Sequence, residues 1–148
     1  MDFEQDTNAA SWPSSVLRSY RLPDGHTLTL GSERFRCPEA LFQPALLGRE
    51  EMGVHELVYE AIRGAEVDNR RDLYNMVVIS GGSTLFPGMA ARMRRELVRL
   101  APPTMKVQVI ASPERNHSAW IGGSIVASLS TFQESWISRQ EYDETGPL

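Results

Sequence analysis

The chain has 148 residues, 41% of them hydrophobic and 23% charged, which fits one soluble globular domain and argues against wholesale disorder. A net charge of −4 argues against non-specific nucleic-acid binding, and the single cysteine, Cys37, excludes an internal disulfide and a cysteine-based zinc site. No apolar run reaches the length of a membrane span, and the acidic opening Met1–Asp6 does not read as a secretory or mitochondrial signal, so a soluble, intracellular protein is expected.

Residues 2–10 are predicted as a short helix, broken by Ser11-Trp12-Pro13-Ser14-Ser15. Tyr20-Arg21-Leu22 and the alternating His26–Leu30 flank Pro23-Asp24-Gly25, a turn signal, so a small hairpin is expected. Cys37–Phe42 reads as a short helix opened by Pro38 at its first position, and Gln43–Met52 as a loop. Val54, Leu57, Val58, Ala61 and Ile62 then fall on one stripe of an amphipathic helix that Gly64 is placed to stop. A short charged helix around Asp68–Tyr74 follows.

Asn75–Ser80 is the clearest strand, a short apolar run of the kind found where both sheet faces are covered. Gly81–Gly88 interrupts it. Met89, Met93, Leu97 and Leu100 mark a helix with Arg92, Arg95, Glu96 and Arg99 on its opposite face. Pro102-Pro103 ends that helix, and Lys106–Ile110 reads as a second strand. Strand, helix and strand at this spacing predict a βαβ unit with parallel pairing and a right-handed crossover. Ser118–Leu129 is predicted as a helix rich in small apolar residues, whose Gly122-Gly123 pair points to close backbone packing. Thr131–Ile137 adds a turn or two, and the polar tail from Arg139 is expected to be loose.

Several enzyme signatures are excluded. His55-Glu56 opens like a zincin motif, but Tyr59 stands where the second histidine is needed, so His55 reads as a helix-surface residue. His26, His55 and His117 lie in separate elements and make no metal site by spacing. There is no Gly-x-Ser-x-Gly elbow, and Asn116-His117-Ser118 reads as a loop that happens to fit the glycosylation triplet. The informative segment is Ser80–Gly88. A strand running into paired glycines and a helix offers backbone N–H groups suited to an anion such as phosphate, but a plain strand-to-helix turn gives the same pattern. No Walker lysine and no dinucleotide fingerprint is present.

Longer blocks carry a resemblance. Ser19-Tyr20-x-Leu22-Pro23-Asp24-Gly25, Glu33–Pro44, Ser80-Gly81-Gly82-x-Thr84-x-x-Pro87-Gly88 and Leu100-Ala101-Pro102-x-Thr104-Met105-Lys106 are similar to the actin family. So are Pro113-Glu114-Arg115, Trp120–Ile125, Ala127–Gln133 and Gln140-Glu141-Tyr142-Asp143-Glu144-x-Gly146-Pro147. The chain resembles roughly the C-terminal two-fifths of a full actin. The resemblance implies an α/β fold: an incomplete actin-like ATPase domain of the ribonuclease H-like type, with a βαβ core, flanking helices and a small hairpin. It divides the chain into residues 1–49, part of the outer subdomain of the large lobe, residues 50–117, the inner subdomain, and residues 118–148, helices returning to the small lobe.

The family binds ATP with Mg²⁺ or Ca²⁺ between two phosphate-binding hairpins. Both hairpins, with the catalytic and cation-holding residues, match positions upstream of this chain, so no catalytic and no metal-ligating residue is expected here. The resemblance assigns one nucleotide-facing wall to Gly82, Ser83, Thr84, Phe86 and Asn116. Phe86 replaces a tyrosine, and Asn116 replaces a nucleotide-side lysine. An ATP lacking the hairpins and that lysine loses most of its charge-assisted contacts, so no cofactor is expected for this chain alone. Leu46, Leu47 and Arg49 match a loop that inserts between filament strands, where Arg49 replaces an apolar residue. Ile125, Val126, Leu129 and Thr131 match part of the groove used by actin-binding proteins, with Ser135 replacing a methionine. The resemblance thus implies a truncated or divergent actin-like protein of the cytoplasm and cytoskeleton that binds partners and is not a competent ATPase. Its expected partners are actin-like subunits and actin-binding proteins, with neither nucleic acid nor membrane. A fragment of an ATP-binding, filament-forming protein and a non-functional remnant are the alternatives.

Overall fold

An antiparallel hairpin comes first among residues 17–146, which a computed structural model describes. The helix expected over residues 2–10 lies outside the described residues. Strand β1 (Arg18–Arg21) pairs with β2 (Thr27–Leu30), Arg18 opposite Leu30 and Arg21 opposite Thr27. The Pro23-Asp24-Gly25 turn closes as expected: Leu22 N–H donates to the His26 carbonyl at 2.7 Å, and the Asp24 carboxylate accepts the His26 N–H at 3.0 Å.

Helix α1 spans Glu33–Glu39, so it begins earlier than expected and carries Pro38 in its last turn. The start is set by Ser32, whose carbonyl accepts the Phe35 and Arg36 N–H groups at 3.2 and 3.0 Å. Pro38 has no N–H to donate to the Arg34 carbonyl, so the last turn goes without one helical hydrogen bond. The expected loop 43–52 contains a 3₁₀ turn, Pro44–Leu47, closed by left-handed Gly48. Helix α2 (Val54–Gly64) starts at Gly53, whose N–H is held by the Glu56 carboxylate at 2.7 Å. Its buried line runs through Val54, Val58, Tyr59 and Ile62, while Leu57 and Ala61 face out. The inward face is therefore rotated from the expected stripe by about one residue. Helix α3 (Val67–Asn75) contributes a buried Tyr74.

The βαβ unit forms. Strand β3 (Val77–Val78) and β4 (Val109–Ile110) pair in parallel, Val77 with Val109 and Val78 with Ile110, and helix α4 (Met89–Leu100) connects them. Flanking bonds extend the register, Val77 N–H to Gln108 O at 3.1 Å and Ile79 N–H to Ile110 O at 3.0 Å. The expectation that both faces of β3 are covered fails: Val77 and Ile79 enter the core, but Val78 is 63% exposed. Met89, Met93 and Leu97 of α4 fill that core with Phe42, Tyr74 and Val107.

The charged side of α4 departs furthest from its pattern. Arg92 and Glu96 are buried, and Glu39 of α1 is 1% exposed beside them. Arg92 grips Glu39 bidentately at 2.7 and 2.8 Å, and its Nε donates to Glu96 at 2.7 Å. Gln43 Nε2 donates to Glu39 at 2.7 Å, and the Arg92 guanidinium lies 4.9 Å from the Phe42 ring centre. Burial works against the Arg92 charge, but the Glu39 and Glu96 carboxylates outweigh it and raise the guanidinium pKa. This buried bridge ties α1 to α4.

Helix α5 (Ser118–Ser128) and a 3₁₀ segment (Ser130–Ser135) follow. The close packing expected at Gly122-Gly123 is absent: a side-chain carbon built on either glycine meets nothing within 4 Å among the described residues. The tail expected to be loose instead forms α6 (Arg139–Thr145) behind a capping box, Ser138 with Glu141.

Candidate functional site

Both loops that leave the parallel strands at their carboxyl ends meet. This is where open α/β sheets place ligands. After β3 the chain passes through Gly81 at φ +91°, a 3₁₀ turn over Gly82–Leu85, and Gly88 at φ +80° before entering α4. Gly81 and Gly88 hold backbone angles that side-chain-bearing residues resist, whereas Gly82, the second of the paired glycines, does not. The connection is a 3₁₀ turn and a left-handed step, not a direct strand-to-helix junction.

The second loop follows β4 and supplies Arg115. Its backbone carbonyl accepts the Gly81 N–H at 2.8 Å. Its side chain reaches Thr84: Nε lies 3.1 Å from Oγ1, and Nη2 lies 3.1 Å from the carbonyl oxygen. Nη1 donates to the Ser112 carbonyl at 3.0 Å. The Thr84 hydroxyl in turn donates to the Gly81 carbonyl at 2.7 Å.

The expected wall residues divide accordingly. Gly82 and Ser83 are exposed at the tip of the turn. Thr84 is half-buried and committed to Arg115 and Gly81. Phe86 is half-buried and packs against the core, and Asn116 is exposed next to Arg115. The remaining candidates lie on other elements. Leu46 and Leu47 sit on the 3₁₀ turn over a groove of about 320 Å³ lined with Glu33, Arg36, Cys37 and Ala40. Arg49 pairs with Glu51 at 3.6 Å in the open, so the guanidinium is not stranded in an apolar site. Ile125 and Val126 lie exposed on α5, with Leu129 and Thr131 exposed just beyond it. His55 is not a free surface residue: it is half-buried, with its ring centre 5.7 Å from that of Phe42.

Sequence reasoning missed Arg115 and the Glu39–Arg92–Glu96 bridge. Arg115 lies in the Pro113-Glu114-Arg115 segment, but nothing local shows that its side chain spans to Thr84. Gly82 and Ser83 are the exposed residues of the turn, while the guanidinium that reaches it is committed to two protein carbonyls and a hydroxyl. Among the described residues, no group of three or more His, Cys, Asp or Glu is placed to hold a metal ion. No described helix is long and apolar enough to cross a membrane.

The family model described as Actin matches residues 1–148, every residue of this chain. The Ser80–Gly88 turn and the blocks around it therefore rest on common descent, and the chain belongs to the actin family.

Proposed function

We propose that this chain is a divergent actin-like component of the cytoplasmic cytoskeleton that works by binding protein partners, and that its 148 residues do not hydrolyse ATP by themselves. One observation carries the reading, the contrast between two surfaces. The Gly82–Phe86 turn offers a nucleotide a single wall whose nearby guanidinium is already engaged. The α5 region offers a partner exposed Ile125, Val126, Leu129 and Trp136. Gly82, Ser83, Thr84, Phe86 and Asn116 remain a residual nucleotide-facing wall in this reading, Thr84 through its backbone. Ile125, Val126, Leu129 and Thr131 form the partner groove. Leu46, Leu47 and Arg49 form the contact to a neighbouring actin-like subunit, and the Arg49–Glu51 pair keeps that segment's charge satisfied.

Capture of the chain by immobilised actin-binding protein, with and without Leu129→Asp, tests the binding half. A charge placed in a buried apolar contact is expected to weaken capture by about tenfold or more. Capture that is unchanged by Leu129→Asp argues against the groove.

A further inference from the structure

We infer that Arg115 is a positioning residue: a latch that joins the two post-strand loops and fixes the Gly81–Leu85 turn before any ligand arrives. The inference concerns the shape of the turn, so it goes beyond the reading of a partner-binding protein and stands independently of it.

The geometry is specific. A guanidinium presents its donors in a rigid plane, and here that plane is used from both ends. Nε and Nη2 face Thr84, at 3.1 Å to Oγ1 and 3.1 Å to the carbonyl oxygen, with a longer Nε contact to that carbonyl at 3.4 Å. Nη1 turns back to the Ser112 carbonyl of its own loop at 3.0 Å. The residue's own carbonyl takes the Gly81 N–H at 2.8 Å, so side chain and backbone hold both ends of the turn. Thr84 closes the circuit, its hydroxyl donating to Gly81 O at 2.7 Å and its N–H donating to the same carbonyl at 3.0 Å.

Two consequences follow. The Thr84 hydroxyl spends its one proton on Gly81 and a lone pair on Arg115, so its side chain shapes the turn and does not reach toward a ligand. Gly82 and Ser83, between the two anchored residues, are the exposed part and the surface a ligand would meet. Lysine cannot replace this fork, because one ammonium cannot serve Thr84 and Ser112 in the same plane.

Amide hydrogen exchange on the full chain tests the latch. In Arg115→Met, the Gly81 and Thr84 amides are expected to exchange about tenfold faster or more, the loss of a charge-assisted hydrogen bond read locally. The amides of α4 are expected to stay at their wild-type rates. Arg115→Lys should behave like Arg115→Met, whereas Thr84→Ser, which keeps the hydroxyl, should stay within about threefold of wild type. Unchanged Gly81 and Thr84 exchange in Arg115→Met overturns the inference. So does equal acceleration of every amide, α4 included, since that marks a general loss of stability. Should Arg115→Met fail to fold, the unaltered chain decides: a resolved Arg115 Nε–H resonance with contacts to Thr84 supports the latch, and its absence contradicts it.

Discussion

Arg92 shows most clearly what a single residue can do in this fold. Its guanidinium bridges Glu39 and Glu96 in a buried site, and removing it leaves Glu39 buried without its cation, while Glu96 keeps Arg99 at 3.3 Å. Arg92→Met is expected to destabilise the chain by about 3–5 kcal/mol, measured by denaturant unfolding. Replacing Arg92 and both acids together with apolar residues should recover much of that loss, because the desolvation cost disappears with the charges. Leu97, 0% exposed, makes the apolar counterpart, and Leu97→Ala is expected to cost about 3 kcal/mol. The sequence made Leu97 legible and hid Arg92. Helical spacing assigns charges to the solvent side, and nothing near Arg92 announces that Glu39, far away in the chain, turns that side inward. Arg115 was hidden for the same reason, since its partner Thr84 lies on another loop.

At the scale of elements, periodicity located α2, α4 and the parallel pair, although Leu57, Ala61, Val78 and Leu100 of the expected apolar sets are exposed. It failed where short-range chemistry decides. The tail reads as polar, yet Ser138 and Glu141 supply a capping box that starts α6. The Ser138 backbone N–H holds the Glu141 carboxyl below its ordinary value of 4.5. A depressed folded-state value means that this cap contributes above pH 4.5 and is lost as the pH falls through the folded value. The helical signal of Arg139–Thr145 is therefore expected to fade on acidification below the usual glutamate range, followed by carbon chemical shifts. Glu141→Gln should weaken α6 already at neutral pH and flatten that dependence. At α5 the glycine pair suggested tight packing and the structure shows open space, because small residues permit close approach without enforcing it. Gly53 is the opposite case: a side-chain carbon there would collide with the Phe42 carbonyl and the His55 ring. Gly53→Ala is expected to loosen the start of α2 and lower the melting temperature.

The whole molecule combines a well-packed centre with an apolar flank. α2, α3 and α4 enclose the core beside the parallel strands, whereas α5 carries Trp120 at 76% exposure and the segment beyond it carries Trp136 at 60%. Family membership, the blocks that carry it and the turn at the strand ends were legible in the sequence. The distribution of exposed surface was not, because it depends on which elements meet. One wall of a nucleotide site is not expected to hold ATP without the other. Calorimetric titration of the purified chain with ATP, with and without Mg²⁺, tests this claim most directly. No saturable binding at roughly micromolar ATP is expected in either condition. A stoichiometric complex at micromolar affinity or tighter would contradict the claim.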